Sequence, residues 1–456
     1  MPNGIAQNGD IRLSGAVSGN SSGVLTISGG GGHVVALSGN NTFTGGVTLA
    51  SGIIDIGSTT ALGSGTFTIS GGRFRSTTTS YALANHVVIN GDAQMAGSFA
   101  FTFNGNVDLS AGSRSLNNLT AADLTFNGTI SNGNLIIAST GAMGAIILGG
   151  TNSSGYANTS ITSGTLSIAA DSNLGNGTVT INGSSSLLKV TGTTQINKAI
   201  SIGSNGGIIS VDTANTADIA GVIGGNGNLT KQGAGVLTLS GANTHTGDTT
   251  LSAGKLQVNN GLALADTGQV SLSIGSTFEL LANETIGNLS GNGGTVNLNV
   301  NQLTVNQTGT TSFAGIVTDS GGLTKTGVGS LTLSGINTYT GATLVSAGEL
   351  VLANTNGTTL SDNSAVTVAP GATLSLLYND TVGSLAGGGT VGLGILALSA
   401  GGDGTSTTYS GVFTGSGGFI KNGTGTLTLT GASSGYTGDI LGYFHQRQYQ
   451  EMSDNT

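Results

Sequence analysis

The residues that could carry out chemistry are few and scattered. The 456-residue chain has 4 His, 20 Asp and Glu and 11 Lys and Arg, and it has no Cys. Disulfides and thiolate metal sites are therefore excluded. The histidines show no metal-pair spacing and have no carboxylate at a ligand-like offset; they are His33, His86, His245 and His445. The sequence predicts no metal site, no cofactor and no catalytic residue.

The charged residues do not form a recognisable motif either. Calcium-binding solenoids repeat Gly-Gly-x-Gly-x-Asp in tandem, whereas Gly-Gly-Asp-Gly at 401–404 is isolated and has a different order. Lys231, Lys325 and Lys421 recur, but they are too far apart along the chain to serve one substrate. We predict that they are solvated, outward-facing lysines that discourage sheets from associating side by side.

The composition limits which folds can position these residues. Gly is 83 of the 456 residues and Pro only 2, which excludes collagen and disfavours helices, since each interior Gly costs a helix about 1 kcal/mol. Hydrophobic residues are 37% and charged residues 7%, the opposite of a disordered chain. Aromatics are only 4%, so the core must be made of Val, Ile, Leu and Ala. A net charge of -9 argues against a nucleic-acid partner.

A long repeat organises the chain. Residues 229–241, 323–335 and 419–431 share the pattern x-x-Lys-x-Gly-x-Gly-x-Leu-Thr-Leu-x-Gly. The last glycine of this pattern opens a second motif, of the type Gly-x-Asn-Thr-x-Thr-Gly, which occurs in five copies at similar intervals along the chain. The opening glycines are Gly39, Gly150, Gly241, Gly335 and Gly431. The chain is one periodic object, which we assign to a single repeat domain, residues 1–440.

Within each period the chain reads as short alternating strands that end in Gly, Asn, Asp or Ser, for example at 235–241 and 269–274. Alternation places Leu and Val on one face and Thr, Ser or Asn on the other. Turn residues come too often for independent hairpins, which favours an all-β, parallel β-solenoid. With about 20 to 25 residues per coil, the chain would make about 18 to 22 coils.

Two repeated positions are interpreted as structural. Asn41, Asn152, Asn243 and Asn337 each follow a motif glycine by two positions, so we expect turn asparagines whose side chains satisfy local backbone groups. His245 stands where other copies have Phe43 and Tyr339. We therefore predict a ring that packs in a turn rather than a ligand or a base.

The pattern at 321–352, which recurs at 227–258, closely resembles the autotransporter-associated β-strand repeat. That repeat is found in passenger domains of bacterial type V secreted proteins. The resemblance implies a single-stranded right-handed parallel β-helix exported to the outer face of a Gram-negative envelope, and it implies no catalytic activity. The lysine of the later copies aligns with Gly29 and Thr140 in the first two, so the N-terminal part is more diverged.

The two ends depart from the family pattern. Residues 1–8 show neither a basic nor an apolar signal-peptide region, and the sequence contains no β-barrel translocator. Residues 441–456 break off the fifth repeat and use a different residue alphabet, which we interpret as a truncation or frameshift product. The alternative is a cap, in which Tyr443 and Phe444 would cover the apolar end of the last coil.

These observations predict a structural or adhesive passenger, a stalk or adhesin fragment at the cell surface or secreted, without enzymatic activity. Its partner would be an unidentified cell-surface glycan or protein. Two alternatives stay open: a pectin-lyase-like, carbohydrate-active β-helix, and a non-functional fragment of a larger autotransporter. Carboxylates converging on one groove would favour the enzyme.

Overall fold

A computed structural model describes residues 5–6, 10–19, 22–30, 32–140, 144–152, 154–443 and 449–451. The chain divides into two units, Met1–Leu229 and Thr230–Thr456. Each unit consists of short strands stacked in parallel, about 20 turns in total. The predicted fold class, an all-β parallel β-solenoid, is confirmed. Among the described residues no helix is long and apolar enough to cross a membrane.

The first unit contains strands of two to twelve residues and one 3-10 turn, Asp171–Asn173. Its strands are Ile5–Ala6, Ile11–Leu13, Leu25–Ser28, Val34–Leu37, Val47–Leu49, Ile53–Ile56, Phe67–Ile69, Arg73–Ser76, Tyr81–Leu83, Val87–Ile89, Ala93–Gly97, Phe101–Phe103, Val107–Asn118, Leu124–Phe126, Ile130–Ala138, Ile146–Leu148, Thr159–Ile168, Val179–Ile181, Ser186–Val190, Thr194–Ile196, Ile200–Ile202, Gly207–Val211, Thr216–Ile219 and Ile223–Gly225.

The second unit has the same construction. Its strands, the first of which begins at the unit boundary, are Leu229–Gln232, Val236–Leu239, Thr249–Leu251, Lys255–Val258, Val270–Leu272, Thr277–Leu280, Glu284–Ile286, Leu289–Gly291, Thr295–Asn297, Gln302–Asn306, Thr310–Phe313, Ile316–Thr318, Gly322–Thr326, Ser330–Leu333, Thr343–Val345, Glu349–Leu352, Ala365–Val368, Thr373–Leu376, Asp380–Val382, Ser384–Gly387, Thr390–Gly394, Leu398–Ala400, Thr407–Tyr409, Val412–Gly415, Phe419–Lys421, Leu427–Leu429, Ile440–Tyr443 and Tyr449–Glu451.

The register shows how the coils stack. Phe67 pairs with Val47 on one side and with Val87 on the other, so equivalent inward residues lie directly above one another. The number of residues per coil varies. More residues separate Glu349 from its partner in the next coil, Thr373, than separate Thr373 from its own partner in the following coil, Thr390. The predicted coil length is therefore slightly too long for the shortest coils.

The interior is mainly Val, Ile, Leu and Ala, as the composition predicts. The first unit adds an aromatic cluster that the composition did not indicate. Five buried rings stack through successive coils with centroids 5.5 to 6.4 Å apart, an attractive spacing for aromatic pairs. They are Phe67, Phe74, Phe101, Phe103 and Phe126. A low overall aromatic content thus conceals a local concentration of aromatic residues.

The repeat continues past residue 440. Ile440–Tyr443 pairs in parallel with Phe419–Lys421, and Tyr449–Glu451 returns antiparallel to it. The domain boundary at 440 stays a prediction. The proposed capping contacts involve Phe444 and the Tyr443 side chain, which lie outside the described part of the chain.

Candidate functional site

The recurrent lysines are inside the solenoid, which corrects the sequence-based prediction. Lys231 and Lys325 both have 0% exposure, and Lys421 is half-buried. They therefore cannot act as solvated charges on the outer face. Each lysine lies near the end of a strand. The turn that follows the strand directs its backbone carbonyl groups towards the lysine amine.

Each buried amine is enclosed by backbone oxygens from two successive coils. Lys325 Nζ donates to the carbonyl oxygens of Thr326, Gly327 and Ala347 at 2.8, 2.9 and 3.0 Å. Lys231 repeats the arrangement with Gln232, Gly233 and Ala253, at 2.8, 2.8 and 3.1 Å. Lys421 makes part of it, donating to Asn422 O and to Gly423 O. Each lysine therefore satisfies carbonyl groups that would otherwise be buried without a donor.

The turns need glycine for this geometry. Gly327 has φ +73° and Gly348 has φ +63°, a left-handed conformation that other residues adopt at a cost. A Cβ on Gly348 would lie 2.4 Å from Gly329 O and 2.5 Å from Gly327 O. The pattern Lys-x-Gly-x-Gly, followed one coil later by Ala-Gly, was visible in the sequence and is the signal for this buried cation site.

A lysine with a lowered pKa is a candidate base or nucleophile. Burial lowers the pKa of Lys231 and of Lys325 to about 8. The enclosing carbonyls favour the ammonium form, so both amines are charged at pH 7. No substrate can approach an amine with 0% exposure, and we therefore assign these lysines a structural role.

The repeated asparagines join neighbouring coils. Asn337 Oδ1 accepts from Val317 N at 2.7 Å, and its Nδ2 donates to Thr359 O at 2.6 Å. Asn41 bonds Val17 N and Ala61 O in the same way. The side chains satisfy backbone groups, as predicted. Most of those groups belong to the coils before and after, and Asn337 Nδ2 also donates to Gly335 O of its own turn at 3.4 Å. Each of these asparagines therefore connects three coils through one side chain.

The ring slot is a packing position, as predicted. His245 is 2% exposed, Phe43 is 8% exposed and Tyr339 is fully buried. The Tyr339 hydroxyl hydrogen-bonds Thr343 Oγ1 at 2.6 Å. Neither nitrogen of His245 has a partner among the described residues, and burial lowers its pKa. At neutral pH the histidine is therefore an uncharged ring with two unsatisfied polar atoms.

Two buried carboxyls occupy equivalent positions in the same two repeats. Glu284 accepts from Leu264 N at 2.9 Å through Oε1, while Oε2 has no partner among the described residues. Burial raises the pKa of Glu284 to about 8. Asp380 accepts from Thr359 N at 3.1 Å, and burial raises its pKa to about 6. Both carboxyl groups accept hydrogen bonds from backbone N–H groups of the preceding coil.

The outer faces carry hydrogen-bonded polar side chains. Lys255 Nζ and Gln257 Nε2 each lie 2.8 Å from Glu279 Oε2, and Thr238 hydrogen-bonds Gln257. Partial burial of Glu279 would raise its pKa, but these hydrogen bonds outweigh the burial and lower it. Within the described residues, no group of three or more His, Cys, Asp or Glu could hold a metal ion.

Parallel coils, inter-coil asparagines and recurrent buried lysines define a repeat-built β-solenoid. Consistent with that class, a family model described as the passenger-associated-transport-repeat matches residues 34–56, 229–258, 323–352 and 419–441. The last three segments each contain one of the recurrent lysines. The resemblance to autotransporter passenger domains is confirmed: the chain carries their repeats. The copy that opens at Gly150 lies outside the matched segments.

One curated protein is similar over a longer stretch. The chain is 39% identical over 220 residues to the adhesin BmaC autotransporter of Brucella suis biovar 1 (strain 1330). The match covers 44% of this chain and 6% of that adhesin, so the chain spans a small part of its relative's length. No solved structure matched the chain.

Proposed function

We propose that this chain is part of the adhesive passenger of a type V secretion protein, located at the cell surface or secreted. The observation that carries the proposal is its 39% identity to an autotransporter adhesin. The architecture supports it, because the outward side chains of successive coils offer many positions for contact with a partner. The partner would be a cell-surface glycan or protein.

We place this passenger among non-enzymatic proteins. Glycoside hydrolysis uses a pair of carboxylates flanking the substrate. The buried carboxyls Glu284 and Asp380 are engaged by backbone N–H groups, and Glu279 is held by Lys255 and Gln257. These three carboxyls are thus engaged in contacts within the scaffold.

An adhesion assay tests the proposal. Beads coated with the purified full chain are expected to bind cultured host cells several-fold more than albumin-coated beads, and soluble chain should compete. Binding equal to albumin would contradict the adhesive function. Release of reducing or unsaturated sugars from a polysaccharide panel would instead favour the enzyme alternative.

A further inference from the structure

One groove on the outer face of the first unit combines a cation with an apolar wall. Its volume is about 400 Å³. It is lined by Gly32, Gly52, Ile53, Gly72, Arg73 and Gln94, and we call it the Arg73 groove. A volume of this size lies within the usual range for small-molecule sites.

The groove follows from the stacking of coils. Ile53 pairs with Arg73, and Arg73 pairs with Gln94, so the three outward side chains stand next to one another on adjacent strands. Gly52 and Gly72 precede two of these strands with φ +81° and +75°. A Cβ on Gly72 would lie 2.6 Å from Gly52 O of the preceding coil, so glycine is required here for the close stacking that sets the three outward residues side by side.

Arg73 has no carboxylate to neutralise it. Its Nε donates to Gln94 Oε1 at 3.0 Å, and among the described residues no acid lies within ion-pair distance of it. Three lysines, by contrast, have acidic partners: Lys189, Lys198 and Lys255. Among the described residues, Arg12 and Arg114 also form no ion pair, but Arg73 is the arginine that lines this groove.

The carboxylates of the same face are already engaged. Asp55 Oδ2 lies 3.9 Å from Arg75 and accepts from Thr77 Oγ1 at 3.1 Å. Asp10 Oδ1 accepts from Val34 N at 2.9 Å. With Nε bonded to Gln94, the two terminal nitrogens of Arg73 are left to bind an anion. Their planar arrangement matches a carboxylate.

We propose that the Arg73 groove binds a carboxylate-bearing sugar residue of a glycan. Arg73 would bind the carboxylate, the Gln94 amide would bind a ring hydroxyl, and Ile53 would contact the apolar face of the ring. A peptide is less suited, because strand Ile53–Ile56 is hydrogen-bonded on both sides and offers no free sheet edge. This inference rests on the proposed adhesive function and names its ligand class.

Direct binding tests the groove. Titration of the full chain with 3'-sialyllactose and with a glucuronic acid-containing hyaluronan tetrasaccharide is expected to show binding to at least one of them. Neutral lactose and chitotetraose should bind at least about tenfold more weakly. Added salt should weaken the binding of the acidic ligands. Equal binding of acidic and neutral sugars, or no binding of either acid, would overturn the proposal.

Variants locate the site. Arg73→Ala should weaken the binding of the acidic sugar about tenfold or more. Arg73→Lys should retain only part of the wild-type affinity, because lysine lacks the planar guanidinium group. Lys189→Ala, an exposed cation of the same unit, is the matched control and should bind as the wild type does. Unchanged thermal unfolding would show that the variants fold. Equal affinities of Arg73→Ala and Lys189→Ala would place the ligand elsewhere and refute the site.

Two further results separate this inference from the adhesive function. If beads carrying Arg73→Ala adhere to cells as well as wild-type beads while no acidic sugar binds, the adhesive function stands and the groove proposal fails. If acidic sugars bind in an Arg73-dependent way but beads do not adhere, the groove stands and the adhesive function fails. If tetraglutamate competes for the groove as strongly as the acidic sugar does, the glycan proposal fails and the ligand is an acidic protein segment.

Discussion

The repeats at 229–286 and 323–382 share a coil path but differ in how their interior polar groups are satisfied. Both enclose a lysine with three carbonyl oxygens. In the later repeat, Tyr339 hydrogen-bonds a threonine, whereas His245 in the earlier repeat has two unpaired nitrogens. The earlier repeat also leaves one oxygen of Glu284 without a partner, and the later repeat leaves the hydroxyl of Thr358 without one, among the described residues.

The comparison shows which positions the fold requires and which it only tolerates. Removing the lysine would leave several carbonyls unsatisfied at once, so these two repeats depend on it, although the first two copies carry Gly29 and Thr140 at the aligned position. The ring slot needs only bulk, because apolar contacts with the neighbouring coils hold it whether or not its polar atoms are paired. An unpaired buried polar atom costs about 1 to 3 kcal/mol. We therefore expect the earlier repeat to be locally weaker.

The largest expected effect concerns the shared lysine. Lys325→Met should lower the free energy of unfolding by about 3 kcal/mol, because three buried carbonyls lose a charged donor. Lys231→Met should cost about the same if the two repeats are equivalent. Denaturant titration with hydrogen exchange of strand Ser330–Leu333 measures the loss around Lys325. The graded control is Lys421→Met, which removes two contacts at a half-buried site and should cost less.

The second effect is pH-dependent. The pKa of Glu284 is raised to about 8 in the folded protein, so the folded state holds a proton that the unfolded state has lost above about pH 4.5. Stability therefore falls as pH rises from about 4.5 through 8. Glu284→Gln should remove this slope and add about 3 kcal/mol at pH 7 while leaving stability at pH 4 unchanged. Asp380→Asn is the comparison: the pKa of Asp380 rises only to about 6, so its slope should end near pH 6, whereas that of Glu284 continues to about pH 8. Parallel pH profiles for wild type and Glu284→Gln would contradict the assignment.

The third effect concerns a substitution that gives the earlier repeat the ring found in the later one. His245→Tyr should raise the free energy of unfolding by about 1 kcal/mol, because it removes two unpaired nitrogens and offers a hydroxyl to Thr249, the counterpart of Thr343. His245→Phe separates the two contributions, since it removes the nitrogens without adding the hydroxyl. Thermal unfolding of the three proteins at pH 7 measures both steps. A loss of stability in both variants would show that the histidine is satisfied in a way the structure does not reveal.

The smallest effect has the opposite sign. Tyr339→Phe should lower the free energy of unfolding by about 0.5 kcal/mol, because Thr343 loses its 2.6 Å hydrogen bond. Thr343 keeps a 3.1 Å contact with Ser364, which limits the loss. Urea unfolding of this variant beside His245→Phe gives the contrast: Phe in the same slot should harm one repeat and help the other. Equal effects would mean that the hydroxyl contributes nothing.

Much of this architecture could be predicted from the residue pattern. Alternating Leu and Thr at 235–241, glycine-rich turns and the recurring motif were enough for a parallel solenoid, because they depend on local chain geometry and on a repeat that stacks like residues. The His245 slot could also be predicted, since aligned copies show a ring there. Phe67 and Phe103 illustrate what composition could not reveal, because it carries no information on where rings meet.

The sequence by itself determined the repeat, its strands and the scarcity of reactive groups, since each follows from residue type and spacing. Only the tertiary structure decided which way the polar residues point. Lys325 was expected outside and lies inside, because the donor requirement of three carbonyls exists only once two coils have stacked. Asn337 was expected to bond its own turn, and it does so with Gly335 O, but its two shorter hydrogen bonds reach the coils on either side. Arg73 and Gln94 meet for the same reason: the register of adjacent coils, rather than distance along the chain, sets which side chains share a surface.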